Sequence, residues 1–186
     1  MYKIDFDAPC RIHFIGIGGI SMSGFAEYLH TLGFIISGSD SHQSKITDHL
    51  EDLGMKIFIG QKPSNITSDI DCVVYTAAIK EDNEELIEVK RRGLPMLSRA
   101  QMIGQVMLNF DNAVAVSGTH GKTTTTSMLS QIFMDAHLDP TISVGGILDA
   151  IGGNIRMGNS EHFIIEACEY TNTFLEFYPK RGIILN

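Results

Sequence analysis

One segment constrains the fold of this chain more than any other, an apolar stretch that runs into a glycine-rich loop and then into a helical pattern. Residues 113–116 are apolar and of strand type, and the loop Ser117-Gly118-Thr119-His120-Gly121 follows them. Lys122 and consecutive threonines come next, and apolar residues at helical spacing predict a helix over residues 125–136. A strand, a glycine loop, a lysine, a hydroxyl and a helix in this order are typical of a phosphate-binding loop.

The chemistry of such a loop depends on small residues and on charge. Glycines let backbone N–H groups approach phosphate oxygens, and the helix N-terminus adds the positive end of its dipole. Lys122 adds a full positive charge, and a threonine hydroxyl can reach Mg²⁺. The usual pattern has four residues between its glycines, whereas here only Thr119 and His120 separate Gly118 from Gly121. The alternative is an ordinary strand-to-helix turn with a solvated lysine.

A second glycine loop lies near the start of the chain. A strand pattern over residues 11–15 meets Gly16-Ile17-Gly18-Gly19-Ile20-Ser21, and a helix is predicted over residues 21–32. This loop nearly fits the dinucleotide-binding fingerprint, with serine in place of the third glycine, and Asp40 stands where an acidic residue can bind a ribose hydroxyl. The backbone N–H groups of residues 18–22 could hold a diphosphate, which both NAD and a UDP-sugar carry. A turn that needs glycine for close packing is the alternative.

Strand and helix patterns alternate along the chain, which predicts an α/β fold with a parallel sheet and helices on both faces. Further strands are expected at 34–40, 56–59, 71–75, 95–97, 141–144, 162–168 and 182–186, and helices at 44–53, 83–92, 98–108 and about 172–177. We place a domain boundary near residue 110, with a Rossmann-like domain over 1–110 and the start of a P-loop α/β domain over 111–186. Because a parallel sheet rarely stops at the tip of an apolar strand, we expect the chain to be a piece of a longer protein.

Composition narrows the class of protein. A chain of 186 residues is long enough for one large or two small domains, and 44% apolar and 19% charged residues are usual for a soluble globular protein. The formal net charge of −8 argues against a nucleic-acid-binding protein. No apolar run approaches the roughly 20 residues that span a bilayer. The N-terminus lacks a signal-peptide pattern, so we expect a cytoplasmic protein.

The three cysteines are far apart in the sequence. Cys72 and Cys168 lie in apolar, strand-like runs, and we interpret them as buried thiols in a reducing compartment. With Cys10 the chain has three cysteines, and an odd number argues against a disulfide framework. No cluster of cysteine and histidine residues has the spacing of a zinc site.

Four segments together resemble the Mur ligase family, the amino-acid-adding ligases of peptidoglycan synthesis. They are HFIGIGGISMSG at 13–24, SGSD at 37–40, SGTHGKTTT at 117–125 and EACEY at 166–170, in the order and spacing of that family. The resemblance covers nearly the whole chain from Arg11 onward. The shortened loop Gly-Thr-His-Gly-Lys-Thr is characteristic of the family, which accounts for the unusual glycine spacing.

The resemblance implies an ATP-dependent ligase that joins L-alanine to the carboxylate of UDP-N-acetylmuramate through an acyl phosphate. It implies a first domain for the UDP-sugar, a central domain for ATP and Mg²⁺, and a further domain outside this chain, so we expect the chain to be inactive by itself. A murein-peptide recycling ligase of the same family shares the phosphate loop and is one alternative. Others are a nucleotide-binding module without catalysis and an NAD(P)-binding Rossmann module, which only the first loop favours. Oligomeric state is not predicted.

The resemblance also implies an ATP and metal site around the phosphate loop. Lys122 is expected to be catalytic by neutralising β/γ-phosphate charge, and Glu166, at the end of an apolar strand, is expected to be catalytic as a Mg²⁺ ligand. Thr123 is the preferred Mg²⁺ hydroxyl because it directly follows the lysine, with Thr124 as second choice and Glu169 as the alternative carboxylate. The expected ATP contacts are Gly118, Thr119, His120, Gly121, Lys122, Thr123 and Thr124.

The first glycine loop and two later strand tips are expected to hold the UDP-sugar. The contacts predicted for it are Gly18, Gly19, Ile20, Ser21, Met22, Ser39, Asp40, Thr76, Ala77 and Asn83. Gln61 departs from the family, whose members often have histidine at that position. His13 is interpreted as a packed or hydrogen-bonded histidine, and the charged run over residues 80–92 as a solvated helix face.

Overall fold

The chain folds into two compact units, Met1–Met102 and Ile103–Asn186. The computed structural model describes residues 2–168 and 170–186, and of residues 170–172 it describes the backbone only. The division falls inside a helix, ahead of the boundary predicted near residue 110. No helix in the described ranges has both the length and the apolar character needed to cross a lipid bilayer.

The first unit is built on a parallel sheet of five strands in the order β3-β2-β1-β4-β5. Its strands are β1 (Arg11–Ile15), β2 (Ile35–Asp40), β3 (Lys56–Ile59), β4 (Cys72–Tyr75) and β5 (Met96–Ser98). Its helices are α1 (Ile20–Thr31), α2 (Lys45–Asp52) and α3 (Glu84–Arg92), and α4 (Arg99–Met107) spans the division between the units. Because the strand order reverses between β1 and β4, a ligand crevice is expected at their carboxyl ends.

The pairing register of β1 with β2 and β4 aligns the carboxyl ends of these three strands. Ile15, the last residue of β1, pairs with Ser39 on β2 and with Tyr75 on β4. The central strand is buried on both faces, as is usual for parallel sheets, because Ile12 and Phe14 on one face and His13 and Ile15 on the other are fully buried. The loops after β1, β2 and β4 therefore leave the sheet side by side.

Local sequence sets the ends of two helices in this unit. Ser44 and Thr47 form a capping box at the start of α2. The Asn83 side chain accepts a hydrogen bond from the Leu86 N–H at 3.0 Å and so caps α3. Gly93, with φ of 65°, ends α3 in the left-handed region.

The second unit is a five-stranded sheet in the order β10-β6-β9-β7-β8. Its strands are β6 (Asn112–Ser117), β7 (Thr141–Leu148), β8 (Gly153–Arg156), β9 (His162–Glu166) and β10 (Arg181–Ile184). Its own helix is α5 (Lys122–Asp135), with short 3₁₀ helices at Asp149–Ile151 and Tyr170–Glu176. The β6–β9, β7–β9 and β6–β10 pairs are parallel, whereas β7 and β8 pair antiparallel.

Several sequence expectations for the second unit need correction. The strand predicted over residues 141–144 continues to Leu148, and the chain then turns back as β8 antiparallel to it, so the sheet is not wholly parallel. Helix α5 begins at Lys122 rather than at residue 125, since Gly121 takes φ of 78° at its N-cap. Burial was predicted for both Cys72 and Cys168, but only Cys72 is buried, because Cys168 lies beyond the end of β9 and is exposed.

Candidate functional site

A cleft of about 600 Å³ opens at the carboxyl edge of the first sheet. The first glycine loop forms one wall and the segment after β4 forms another. A Cβ atom at Gly16 would lie 2.6 Å from Thr76 Cγ2, so these two walls touch only because residue 16 is glycine. Five of the predicted UDP-sugar contacts line the cleft: Gly18, Gly19, Asp40, Thr76 and Asn83.

The other five predicted contacts do not line the cleft. Met22 is 2% exposed and packs in the core, and Ser39 is fully buried, so neither side chain reaches the cleft surface. Ile20 and Ser21 begin α1, and Ala77 is exposed beside the cleft-lining Thr76. Contacts from these residues to a ligand stay a prediction.

Helix α1 begins without a side-chain cap. Gly19 is its N-cap residue in an extended conformation, no side chain accepts a hydrogen bond there, and the first turn holds no acidic residue. The first-turn N–H groups, those of Ile20, Ser21 and Met22, therefore lie at a helix N-terminus of the kind that binds anions.

Asp40 uses one of the N–H groups that the sequence suggested for a diphosphate. Its Oδ2 accepts a hydrogen bond from the Gly18 N–H at 2.9 Å. A Cβ atom at Gly18 would lie 2.8 Å from the same oxygen, so glycine is needed for this approach. In this structure Asp40 thus holds the glycine loop to the end of β2.

A polar cluster lies in the same unit, with His13, Ser39, Asn65 and Glu85 buried and Ser37 half-buried. The carboxylate of Glu85 accepts hydrogen bonds from Ser39 Oγ at 2.5 Å and from Asn65 Nδ2 at 2.6 Å. His13 Nδ1 bonds Ser37 Oγ at 2.9 Å, and its Nε2 lies 3.9 Å from Glu85 Oε1. Burial lowers the pKa of His13 to about 4 and raises the pKa of Glu85.

Sequence reasoning missed Glu85, because it treated residues 80–92 as a solvated face. Glu85, Leu86 and Val89 are the buried residues of α3. The sequence did contain a signal for the burial of Glu85. Glu85 lies four residues before the apolar Val89, and residues four apart share a helix face. The interpretation of His13 as a hydrogen-bonded, packed histidine agrees with its full burial and its bond to Ser37.

Asn83 and Gln61 pair across the cleft-lining segments. Asn83 Nδ2 donates to Gln61 Oε1 at 2.7 Å, while its Oδ1 accepts the capping bond from Leu86. Both ends of the Asn83 amide are therefore engaged within the first unit. Gln61, the residue that departs from the family pattern, faces the cleft.

The phosphate loop of the second unit runs from β6 into α5. Gly118 has φ of 142°, and a Cβ atom there would lie 2.7 Å from the Leu185 carbonyl oxygen, so only glycine fits. Thr119 N–H donates to the Asn186 carbonyl at 3.0 Å. Lys122 Nζ donates to the Gly118 carbonyl at 2.6 Å, which folds the lysine back over its own loop. Helix α5 also begins without a side-chain cap or an acidic residue in its first turn.

Register places Glu166 directly beside this loop. Glu166, the last residue of β9, pairs with Val116 on β6. Thr123 Oγ1 donates to Glu166 Oε1 at 3.0 Å, and the Gly145 N–H donates to Glu166 Oε2 at 2.7 Å. The structure thus brings together Lys122, Thr123 and Glu166, whereas Glu169 lies outside the described residues.

Gly145 was not singled out from the sequence. A Cβ atom at that position would lie 2.8 Å from both carboxylate oxygens of Glu166. Any side chain there would therefore displace Glu166. A glycine within an otherwise strand-like run can mark such a close approach.

The residues beside the phosphate loop fit a magnesium ion. Hydroxyl and carboxylate oxygens are hard ligands, and Mg²⁺ is usually held by one or two carboxylates together with substrate phosphates and water. No group of three or more histidine, cysteine, aspartate or glutamate side chains that could hold a metal occurs within residues 2–168 and 170–186. Thr123 and Glu166 therefore provide a partial ligand set of the type that Mg²⁺ shares with a nucleotide.

Two α/β units, each with a glycine loop between a sheet strand and a helix, define a protein of Rossmann-like and P-loop type. The chain belongs to the Mur ligase family, because a family model described as "Mur ligase family, catalytic domain" matches residues 11–111. The matched residues hold the first glycine loop, and the phosphate loop lies after them. The predicted family is confirmed.

Curated relatives match the chain along its whole length. It is 64% identical over 186 residues to UDP-N-acetylmuramate–L-alanine ligase of Lachnoclostridium phytofermentans, and 62% identical over 186 residues to that of Agathobacter rectalis. Each match covers 100% of this chain and 40% of the relative. The chain therefore spans about 40% of the length of these relatives.

Solved structures of related ligases share the fold. UDP-N-acetylmuramate-alanine ligase of Thermotoga maritima matches with a TM-score of 0.78 and 34% identity, over 94% of this chain and 40% of that one. A murein peptide ligase of Psychrobacter arcticus matches with a TM-score of 0.79 and 28% identity, over 94% of this chain and 42% of that one. The predicted fold class, a Rossmann-like parallel sheet followed by a P-loop α/β unit, is confirmed.

Proposed function

We propose that this chain provides the UDP-sugar-binding and ATP-binding parts of a ligase that joins L-alanine to the carboxylate of UDP-N-acetylmuramate. The observation that carries the proposal is the pair of anion-binding helix N-termini, one over a large cleft and one beside Lys122, Thr123 and Glu166. Identities of 64% and 62% to ligases of that name support this substrate over a murein peptide. We also propose a cytoplasmic location.

The first unit would hold the UDP-sugar. A cleft of about 600 Å³ has the usual size of a small-molecule site. The diphosphate would lie at the N-terminus of α1, and Asp40 would approach the ribose or uridine from the end of β2. Because Asp40 already bonds Gly18, it would fix the loop and contact the ligand from the same position.

The second unit would hold ATP. Lys122 would exchange its bond to the Gly118 carbonyl for phosphate oxygens, and the first-turn N–H groups of α5 would add backbone donors. Thr123 and Glu166 would hold Mg²⁺, which stabilises negative charge on the phosphates when it is bound. Gly145 would keep the Glu166 carboxylate in place through its N–H.

The proposed reaction overcomes the weakness of a carboxylate as an electrophile. Transfer of the terminal phosphoryl group of ATP gives the muramoyl carboxylate a leaving group, and the amine of L-alanine then displaces phosphate. The task of the protein in such a transfer is alignment and charge neutralisation, which the loop N–H groups and Lys122 can supply. The division of labour between residues 1–110 and 111–186 is part of this proposal.

Separate titrations of the 186-residue chain with UDP-N-acetylmuramate and with NADH test the proposal. We expect saturable heat of binding for the UDP-sugar and none for NADH, because relatives that are 64% and 62% identical are ligases named for UDP-N-acetylmuramate. UMP serves as a control for the uridine part of the ligand. Binding of NADH without binding of the UDP-sugar would overturn the proposal and favour the dinucleotide alternative.

A further inference from the structure

The first unit contains a carboxylate that the proposed function does not use. Glu85 is fully buried on α3, next to the helix N-cap Asn83. Its two oxygens accept bonds from Ser39 Oγ and Asn65 Nδ2, at 2.5 Å and 2.6 Å. A buried carboxyl group is costly unless it is hydrogen-bonded, so its partners matter for where the surrounding segments lie.

The bond to Ser39 connects Glu85 to the glycine loop. The Ser39 carbonyl accepts the N–H of Gly16 at 2.8 Å and the N–H of Ile17 at 3.0 Å. Ser39 therefore bonds Glu85 with its side chain and the start of the loop with its backbone. Movement of Ser39 would move the wall of the cleft formed by Gly16.

The bond to Asn65 connects Glu85 to a second wall. Asn65 Nδ2 also donates to the Gly60 carbonyl at 2.9 Å, and the Gly60 N–H donates to the Asp40 carbonyl at 2.8 Å. The next residue, Gln61, lines the cleft and accepts the bond from Asn83. One carboxyl group thus connects the end of β2, the segment after β3 and the start of α3.

We propose that Glu85 is a positioning residue for the UDP-sugar, which sets the spacing of the glycine loop, Gln61 and Asn83 before the ligand enters. Glu85 has no contact with the cleft itself and acts through Ser39 and Asn65. This inference rests on the proposed function of the first unit, since it assigns a role to a group beneath that ligand site.

His13 is the titratable side chain that faces Glu85 from β1. Its Nε2, which has no hydrogen-bond partner, lies 3.9 Å from Glu85 Oε1, and both side chains are fully buried. Burial lowers the pKa of His13 to about 4, so the ring is neutral near pH 7. Hydrogen bonds from Ser39, Asn65 and the Lys62 backbone, rather than an ion pair with His13, therefore hold the Glu85 carboxyl group at neutral pH.

The test compares Glu85→Ala and Glu85→Gln with Glu84→Gln, a change at an exposed position of the same helix. Binding of UDP-N-acetylmuramate to the 186-residue chain is measured by calorimetry at pH 7.5, well below the unfolding temperature of each variant. We expect Glu85→Ala to weaken binding about tenfold or more, as for the loss of a hydrogen bond to a charged group. Glu85→Gln, which keeps one acceptor oxygen, restores part of the affinity, and Glu84→Gln leaves it unchanged.

A second measurement separates positioning from general stability. Amide hydrogen exchange at Gly16 and Ile17, whose N–H groups bond the Ser39 carbonyl, is expected to accelerate at least tenfold in Glu85→Gln. Exchange along β4 stays as in the unchanged chain if the effect is local. This variant also provides the test if Glu85→Ala does not fold.

The outcomes distinguish this proposal from the proposed function. If the unchanged chain does not bind UDP-N-acetylmuramate, the function proposed for the first unit is wrong. If the unchanged chain binds and folded Glu85→Ala or Glu85→Gln binds equally well, Glu85 is not a positioning residue. Equal exchange rates at Gly16 in Glu85→Gln and Glu84→Gln would overturn the proposal in the same way.

Discussion

The two glycine loops share a strand–loop–helix topology, yet their units differ in the titratable side chains that they bury. In the first unit the loop carries no charged side chain, and His13 and Glu85 are fully buried. In the second unit Lys122 belongs to the loop and Glu166 lies beside it, partly exposed. The buried polar side chains described for that unit are all uncharged: Gln105, Thr126, Ser130 and Thr141.

Under the proposed function, this difference assigns ligand binding to the first unit and phosphoryl transfer to the second. Backbone N–H groups in a glycine loop that is bonded to Ser39 and Asp40 offer a fixed geometry, which suits a diphosphate that is held but not altered. A lysine on a flexible stem can follow charge as a phosphoryl group moves. Under the proposed function the first unit would therefore serve recognition and the second reaction, and three predictions test that contrast.

The largest effect is expected from Lys122→Ala. Loss of the ammonium group removes a charge-assisted bond to phosphate, and we expect the affinity of the chain for MgATP to fall about a hundredfold. Affinity for UDP-N-acetylmuramate is expected to stay the same, because the site proposed for that ligand lies in the other unit. Calorimetry with each ligand measures both effects, and Lys180→Ala, an exposed lysine of the same unit, is the matched control. Equal loss of both ligands would show that the two sites are wrongly assigned.

Gly145→Ala is expected to change ATP binding less than Lys122→Ala does. The added methyl group would overlap the Glu166 carboxylate, so Glu166 must move away from Thr123. We expect the gain in ATP affinity that Mg²⁺ provides to shrink about tenfold, which corresponds to roughly one metal–ligand interaction. Gly153→Ala is the control, since a Cβ atom there has no neighbour within 4 Å. An unchanged Mg²⁺ dependence in Gly145→Ala would remove Glu166 from the metal site.

The third prediction concerns stability in acid, and the effect should come from the first unit. Folding lowers the pKa of His13 from 6.5 to about 4, so the unfolded chain takes up a proton first as pH falls through this window. Stability from the neutral ring is present above pH 6.5 and is lost toward pH 4, by about 2 kcal/mol between pH 7 and pH 5. The raised pKa of Glu85 makes the folded chain more stable as pH falls, which opposes the effect of His13. The contribution of His13 is therefore measured as the difference in acid sensitivity between the unchanged chain and a His13 variant.

Urea unfolding at pH 7 and pH 5, followed by circular dichroism, measures this contribution. We expect His13→Gln to lose less stability on acidification than the unchanged chain, because glutamine does not titrate. His42→Gln, at an exposed position, should keep the full acid sensitivity. If His13→Gln keeps it as well, the acid sensitivity arises elsewhere.

Features set by local sequence were predicted well. Strands β1 and β3 begin and end at the predicted residues, since short apolar runs between glycines and helices fix their bounds. Both glycine loops were predicted because the residues that define each loop are consecutive in the sequence. Thr123 and Glu166 are in contact because Glu166 ends a strand adjacent to the loop strand, while their roles at a metal stay a prediction.

Features that depend on long-range pairing were missed. The bond between Ser39 and Glu85 joins residues 46 positions apart, and nothing in either local segment specifies it. The approach of Gly145 to Glu166 likewise depends on the pairing of β7 with β9. The antiparallel return of β8 was hidden because glycine-rich sequence gives weak strand signals.

Strand order in the second sheet also has a consequence for biosynthesis. Strand β6, which leads into the phosphate loop, pairs with β9 and with β10, whose residues are Arg181–Ile184. A ribosome makes the chain from its N-terminus, and domains generally fold as units in that order. The first sheet has all its strands once Ser98 has emerged, whereas β6 gains its second neighbour only after residues 181–184 have been made. The nascent chain can therefore complete the cleft of its first unit well before the strand that supports its phosphate loop.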